Sequence, residues 1–151
     1  MLDMRPATMA DADQLFTWAN DFHTRAYSKS HNVIPREDHD RWMQFNVLQG
    51  YPKHIVMIAD TEHGSVGVVR FDSIGGDVMT YRVSITMAPQ FRGRKLARGV
   101  LAEACRLMQE STLLAEIRPD NIASKTIFER CGFKIEKHGK AFLHYKLEAQ
   151  A

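Results

Sequence analysis

The order of hydrophobic periodicities predicts an α+β fold: a mixed, mostly antiparallel sheet of six to seven strands flanked by about four helices. Three observations carry this. Residues 54–87 hold three alternating, β-rich runs separated by short polar turns at 62–64 and 75–77, the pattern of an antiparallel meander. Leu96, Ala97, Val100, Leu101, Ala104 and Met108 then recur at helical spacing before a short strand at 113–117, so one helical crossover joins two parallel strands. A hairpin at 133–147 closes the chain. No stretch reads as a linker, repeat or low-complexity segment, so 1–151 is expected to be a single domain.

The first strand, 2–8, leaves through Pro6-Ala7-Thr8, and Thr8 is placed to cap a helix with Ala12, Leu15, Phe16 and Ala19 on one face. Trp18 and Asn20 close it. The stretch 21–32 is polar and reads as a loop. Pro35 opens a second helix, with Glu37 and Asp38 at its positive end and Trp42, Phe45 and Val47 on its apolar side, and Gly50-Tyr51-Pro52 ends it. Near the C-terminus Asn121 caps a further helix, Cys131-Gly132 stops it, and the final hairpin turns at His138-Gly139.

Composition narrows the function classes. Hydrophobic content of 44% and charged content of 25% are ordinary for a globular protein, and a net charge of +2 is too small to imply nucleic-acid binding by bulk electrostatics. Cys105 and Cys131 fit neither a disulfide framework nor a zinc site and are expected as buried thiols; no metal is expected. Without an apolar run of membrane-spanning length, a cytoplasmic protein is expected, as a monomer or homodimer.

Positive charge concentrates in Met87-Ala88-Pro89-Gln90-Phe91-Arg92-Gly93-Arg94-Lys95-Leu96-Ala97, between a strand and a helix. The first N–H groups of a helix lack partners inside it, and the helix dipole adds partial positive charge there. With Gly93 for close approach and Arg92, Arg94, Lys95 and Arg98 for charge, this is a local design for a phosphate or pyrophosphate. It lacks the Gly-Lys-Ser/Thr of a P-loop and the Gly-x-Gly-x-x-Gly of a dinucleotide site. The stretch Gln90-Phe91-Arg92-Gly93-Arg94-Lys95 resembles the acyl-CoA signature Gln/Arg-x-x-Gly-x-Gly/Ala of the GNAT (Gcn5-related) N-acetyltransferases, with Lys95 where that pattern ends in Gly or Ala. Downstream, the run from Glu116 through Asn121 and Phe128 to Gly132-Phe133 is similar to the second GNAT segment.

That resemblance implies a GNAT fold in which strands 83–87 and 113–117 splay apart to admit the pantetheine arm of acetyl-CoA. Backbone groups of Ile85, Thr86 and Met87 would pair with the arm. N–H groups of Arg92, Gly93, Arg94, Lys95, Leu96 and Ala97 would hold the pyrophosphate, with Asn121 and Phe128 near the arm or thioester. A narrower resemblance lies in Trp18-Ala19-Asn20-Asp21, Arg25, Ser28, Ile34 and His39 with Trp42, similar to acetyltransferases of nucleotide-linked 4-amino sugars. It implies a small-molecule acceptor amine, a sugar nucleotide, held by Trp18, Asn20, Arg25, His39 and Trp42, with Arg25 meeting the diphosphate. The alternatives are a protein N-terminal or small-amine acetyltransferase, or a CoA-binding module without turnover. Glu116, on the strand bordering the cleft, is the candidate base, with its affinity for protons raised by burial, and His39 is the second. The other six histidines are expected in loops or at the surface. Phe128 stands where many GNATs place a Tyr acid, leaving Tyr81, Tyr145 or water.

Overall fold

The computed structural model describes residues 1–75 and 77–150. Seven strands form one sheet in the order β1-β2-β3-β4-β5-β7-β6, where β1 is Leu2–Pro6, β2 His54–Thr61, β3 Gly64–Ile74, β4 Asp77–Met87, β5 Thr112–Ile117, β6 Lys134–His138 and β7 Leu143–Leu147. All neighbours are antiparallel except β4 and β5. The expected turn at 75–77 contains Gly76, which lies outside the described residues. The hairpin is wider than expected: β6 ends at His138 and β7 begins at Leu143.

Five helices flank the sheet: α1 (Ala12–Ala19), α2 (Phe22–Tyr27), α3 (Arg36–Trp42), α4 (Ala97–Leu107) and α5 (Ile122–Arg130). α2 corrects the expectation of a loop at 21–32. The Asp21 side chain accepts from the Thr24 N–H at 3.2 Å and starts the helix, yet none of its residues is buried and Phe22 is 89% exposed. Tertiary clamps therefore hold it, not an apolar face. The second expected helix is divided: Pro35 caps α3, and a π-helical turn, Met43–Leu48, replaces its second half. Asn121 caps α5 as expected, accepting from the Ser124 N–H at 3.3 Å, and Gly132 follows with φ 99°, the left-handed conformation glycine supplies at a helix end.

Strand alternation divides the core in two. On one face, Val69, Phe71, Tyr81, Val83, Leu113, Ala115 and Tyr145 pack beneath Val100, Leu101 and Ala104 of α4 and Phe128 of α5. On the other, Val56, Ile58 and Val68 pack beneath Leu15 and Trp18 of α1 and Met43. This second layer covers β2 and part of β3. The same face of β4, β5 and β7 is left polar: Asp72 is opposite Arg82, Arg70 opposite Ser84, and Glu116 opposite His144.

A cleft of about 180 Å³ lies behind α4 between Cys105 and Cys131. Burial pushes the Cys105 thiol up to about 12 and raises Cys131 too, so both stay protonated. Cys131 ends α5 as expected, but it is only half-buried, not the fully buried thiol expected.

β1 is locked to α1 by charge. Asp11, 6% exposed, accepts two bonds from the Arg5 guanidinium at 2.9 Å and one from the Thr8 N–H at 2.8 Å, and Arg5 also reaches Asp60. The hydrogen bonds from Arg5 hold the Asp11 carboxyl below its ordinary 3.8. A carboxylate depressed in the folded state stabilises above its unfolded pKa and loses that contribution as pH falls through the folded value. Asp11→Asn is therefore expected to cost about 2–3 kcal/mol at neutral pH. In urea titrations at a series of pH values, the gap from wild type should close only below 3.8.

Candidate active site

The parallel pair is the opening. β4 and β5 are bonded only from Thr80↔Thr112 to Arg82↔Leu114. Beyond it, Ile85, Thr86 and Met87 still pair with Val69, Val68 and Gly67 of β3 on one side, whereas Ala115, Glu116 and Ile117 pair with β7. The two strands thus diverge after Arg82, and the β5-facing edge of 83–87 has no strand beside it. An unpaired strand edge carries backbone donors and acceptors ready for another extended chain.

β4 runs into a 3₁₀ turn, Pro89–Phe91, and then the expected anion turn. Gly93 has φ 75°, and a Cβ placed there would meet nothing within 4 Å. Lys95 has φ 60°, the left-handed region that costs a side-chain-bearing residue roughly 1–2 kcal/mol, which explains why a small residue suits this motif position. Leu96 caps α4 with no side-chain bond, and no acidic residue occupies the first turn. Among the described residues, the backbone N–H groups from Gly93 through Gly99 find no acceptor. A free row of donors, an unneutralised helix start and exposed Arg94, Lys95 and Arg98 fit a pyrophosphate.

Arg92 departs from its expected role. Its N–H donates to the Pro89 carbonyl at 3.3 Å, and its guanidinium turns inward to Asp21 at 2.7 Å and Thr24 Oγ1 at 3.0 Å. It staples α2 to the turn, and the free donors begin at Gly93. Asn121 spends its side-chain oxygen on the α5 cap. Phe128 is 3% exposed and meets Phe133 edge-on at 4.9 Å, so it offers no open face to a pantetheine arm.

Across the divergence Glu116 faces the polar side of the sheet. Lys29 Nζ lies 3.1 Å and Arg82 Nε 3.4 Å from Oε1, neither aligned as a hydrogen-bond donor, and His144 Nδ1 lies 3.7 Å from Oε2. Glu116, expected as a base set by burial, has a side chain that is 20% exposed and ringed by charge. Three nitrogen-bearing side chains surround the carboxylate instead. Arg82, Leu114, Glu116, Glu136 and His144 line a cleft of about 140 Å³ there. Cations gather around it: Arg118 donates to the Ser28 carbonyl at 2.8 Å and lies 4.8 Å over the Phe142 ring, and Arg70 pairs with Asp72 at 3.0 Å. The Nε atoms of Arg25, Arg70 and Arg118 are buried without partners. Sequence reasoning missed Lys29, Arg70, Arg82, Arg118 and His144 as site residues. The signal was strand parity, which sets Arg82, Ser84, Glu116 and His144 on one face. His144, and His54 with its Asp72 contact at 2.8 Å, correct the placing of those histidines in loops or at the surface.

The expected acceptor residues split. Trp18 is 5% exposed in the second core. Asn20 brackets Ile34, accepting from its N–H at 2.7 Å and donating to its carbonyl at 3.1 Å. His39 is 3% exposed, bonded through Nε2 to the Ala12 carbonyl at 3.0 Å, and burial lowers it below its ordinary 6.5, so it anchors α3 to α1 and is no open base. Arg25 spends both Nη atoms on Ser28 Oγ and the carbonyls of Ser30 and Asn32, which leaves no fork for a diphosphate. Trp42 stacks on His39 at 5.8 Å and carries the Arg70 guanidinium at 5.4 Å, so it alone of the five reaches the border of the polar face with an aromatic ring. The tyrosine acids are also committed. Tyr81 donates to the Pro52 carbonyl at 2.8 Å, and Tyr145 to Glu129 at 2.7 Å, with burial, then that carboxylate, pushing its hydroxyl up to about 12.

Among the described residues no helix is long and apolar enough to cross a membrane, and no group of three or more His, Cys, Asp or Glu could hold a metal. The family model described as "Acetyltransferase (GNAT) domain" matches residues 2–134. No curated protein matches the sequence. Among solved structures, a spermidine N-acetyltransferase from Vibrio cholerae with CoA and spermine is 14% identical with a TM-score of 0.82, over 96% of this chain and 92% of that one. A protein assigned as a phosphinothricin N-acetyltransferase is 21% identical with a TM-score of 0.83, over the whole of both chains. An aminoglycoside acetyltransferase with coenzyme A is 14% identical with a TM-score of 0.82, over 97% of this chain and 94% of that one. At these identities the likeness is one of fold.

Proposed function

Because the chain belongs to the GNAT acetyltransferase family, we propose that this N-acetyltransferase transfers the acetyl group of acetyl-CoA to the amine of a nucleotide-linked amino sugar. One observation carries the acceptor class. On the acceptor side of the diverging strands, Lys29, Arg70 and Arg82 stand against Asp72 and Glu116, Arg25 feels the charge of Arg70, and Arg118 shares the Phe142 ring with Lys29. A polyamine would be repelled by such a wall, whereas an amine carrying phosphates would be drawn to it.

In this reading the open edge at Ile85, Thr86 and Met87 takes the pantetheine arm as an added strand, and the N–H groups from Gly93 onward take the pyrophosphate. Acetyl-CoA supplies an activated acyl group with a good leaving thiolate. Glu116 receives the acceptor's ammonium in place of Lys29 and takes its proton, and His144 beside Oε2 passes that proton toward the cleft. Water, not a tyrosine, protonates the thiolate.

Arg82 is the exposed cation whose loss tests the acceptor. Comparing Arg82→Ala on a UDP-amino sugar and on the same sugar without the nucleotide should show KM rising about tenfold or more on the first only, the effect of one charged hydrogen bond. An equal loss on both, or faster turnover of spermidine than of either sugar, would favour the small-amine alternative.

A further inference from the structure

We infer that Lys29 is itself an acetyl acceptor: with acetyl-CoA present and no other amine in the cleft, the protein acetylates its own Lys29. The inference rests on the acetyl-transfer reading above. It starts from the position of one amine. Lys29 Nζ lies 3.1 Å from Glu116 Oε1, where an acceptor's ammonium belongs, and 5.9 Å from the centre of the Phe142 ring. The side chain as a whole is 67% exposed, so its stem is free to move.

The backbone just before it is held instead. Ser28 gives its carbonyl to Arg118 at 2.8 Å and its hydroxyl to the Thr24 carbonyl at 2.7 Å, and Arg25 donates to that hydroxyl at 2.9 Å. A clamped backbone with a free four-carbon stem aims the amine at the end of β5 and lets it advance across the divergence. Holding a nucleophile beside its reaction partner is worth an effective concentration of ~10⁵ M or more where alignment is good.

The step balances without further reagents. The Lys29 ammonium gives one proton to the Glu116 carboxylate, and the freed Nζ lone pair attacks the thioester carbonyl carbon. The C–N bond forms, the C–S bond breaks, and the second Nζ proton leaves with the CoA thiolate as thiol. Glu116 then returns its proton to water. The products are N-acetyl-Lys29, CoA and one proton. The acetylated side chain has no charge, so its pair with Glu116 is lost.

The test incubates the full chain with acetyl-CoA alone and follows intact mass and peptide maps over time, with CoA binding measured by calorimetry. The expected result is a single acetyl group on Lys29, added at least tenfold faster than to the exposed Lys53, Lys134 and Lys140. Its rate should be independent of protein concentration, fall to that of the other lysines in Glu116→Gln, and be absent in Lys29→Arg. Modification spread evenly over the exposed lysines, a rate that grows with protein concentration, or an unchanged rate in Glu116→Gln would each overturn the inference. CoA binding with a silent Lys29 overturns this inference alone. Absence of CoA binding overturns the acetyl-transfer reading with it.

Discussion

Glu116→Gln is expected to lower kcat by about 10²–10⁴, the usual worth of a general base, with CoA affinity unchanged within threefold. The substitution keeps the shape of the side chain and removes its charge. Lys29, Arg82 and His144 all face this carboxylate, and no other carboxylate flanks the divergence from β5. The free N–H groups that fit a pyrophosphate are on another element, so binding and turnover should separate cleanly. Stopped-time assays with a saturating amine and calorimetry with CoA measure the two quantities. A turnover number within threefold of wild type would remove Glu116 from the mechanism and leave His144, Glu136 or water as the proton acceptor.

Gly93→Asp is expected to weaken CoA binding by about a hundredfold or more. Charge-assisted hydrogen bonds are worth about 1.5–3 kcal/mol each, and a carboxylate in the middle of the free donors would cost the equivalent of at least two. Space is not the obstacle, since a Cβ at Gly93 has no neighbour within 4 Å, and Asp and Asn tolerate the φ of 75° better than other side chains. Gly93→Asn is therefore the informative control: the same shape without charge should lose only a few-fold. Equal losses in the two variants would mean that backbone conformation, not charge, is what the ligand reads. Full affinity in a folded Gly93→Asp protein would place the cofactor elsewhere.

The parts of the fold legible in the sequence are those whose causes are local. The meander announces itself because alternation and turn residues coincide at 54–87, and the anion turn because Arg and Gly cluster between a strand and a helix. α2 was hidden because it has no apolar face; the cations that hold it, Arg92 and Arg118, lie far along the chain. The site divides the same way. Gly93 was legible from its motif. The cationic wall was not, because its members meet only through the pairings Asp72↔Arg82 and Glu116↔His144 and through the Ser28 clamp. Asn20 and Arg25 misled for a related reason: spacing shows that a polar group is needed, and both serve backbone carbonyls of neighbouring loops. A hydrogen-bonding side chain that closes a loop has the same sequence appearance as one that closes on a ligand.

The Arg92 staple has a consequence for timing. One planar guanidinium, bonded to Asp21 and Thr24, joins the donor turn to the helix whose far end positions Ser28 and Lys29. A displacement of residues 92–97 would be passed through this guanidinium to the start of α2, whose six residues lead to the Ser28–Lys29 end. The anion turn and the Ser28–Lys29 corner therefore share one wall, and a movement at either end would reach the other through a single side chain.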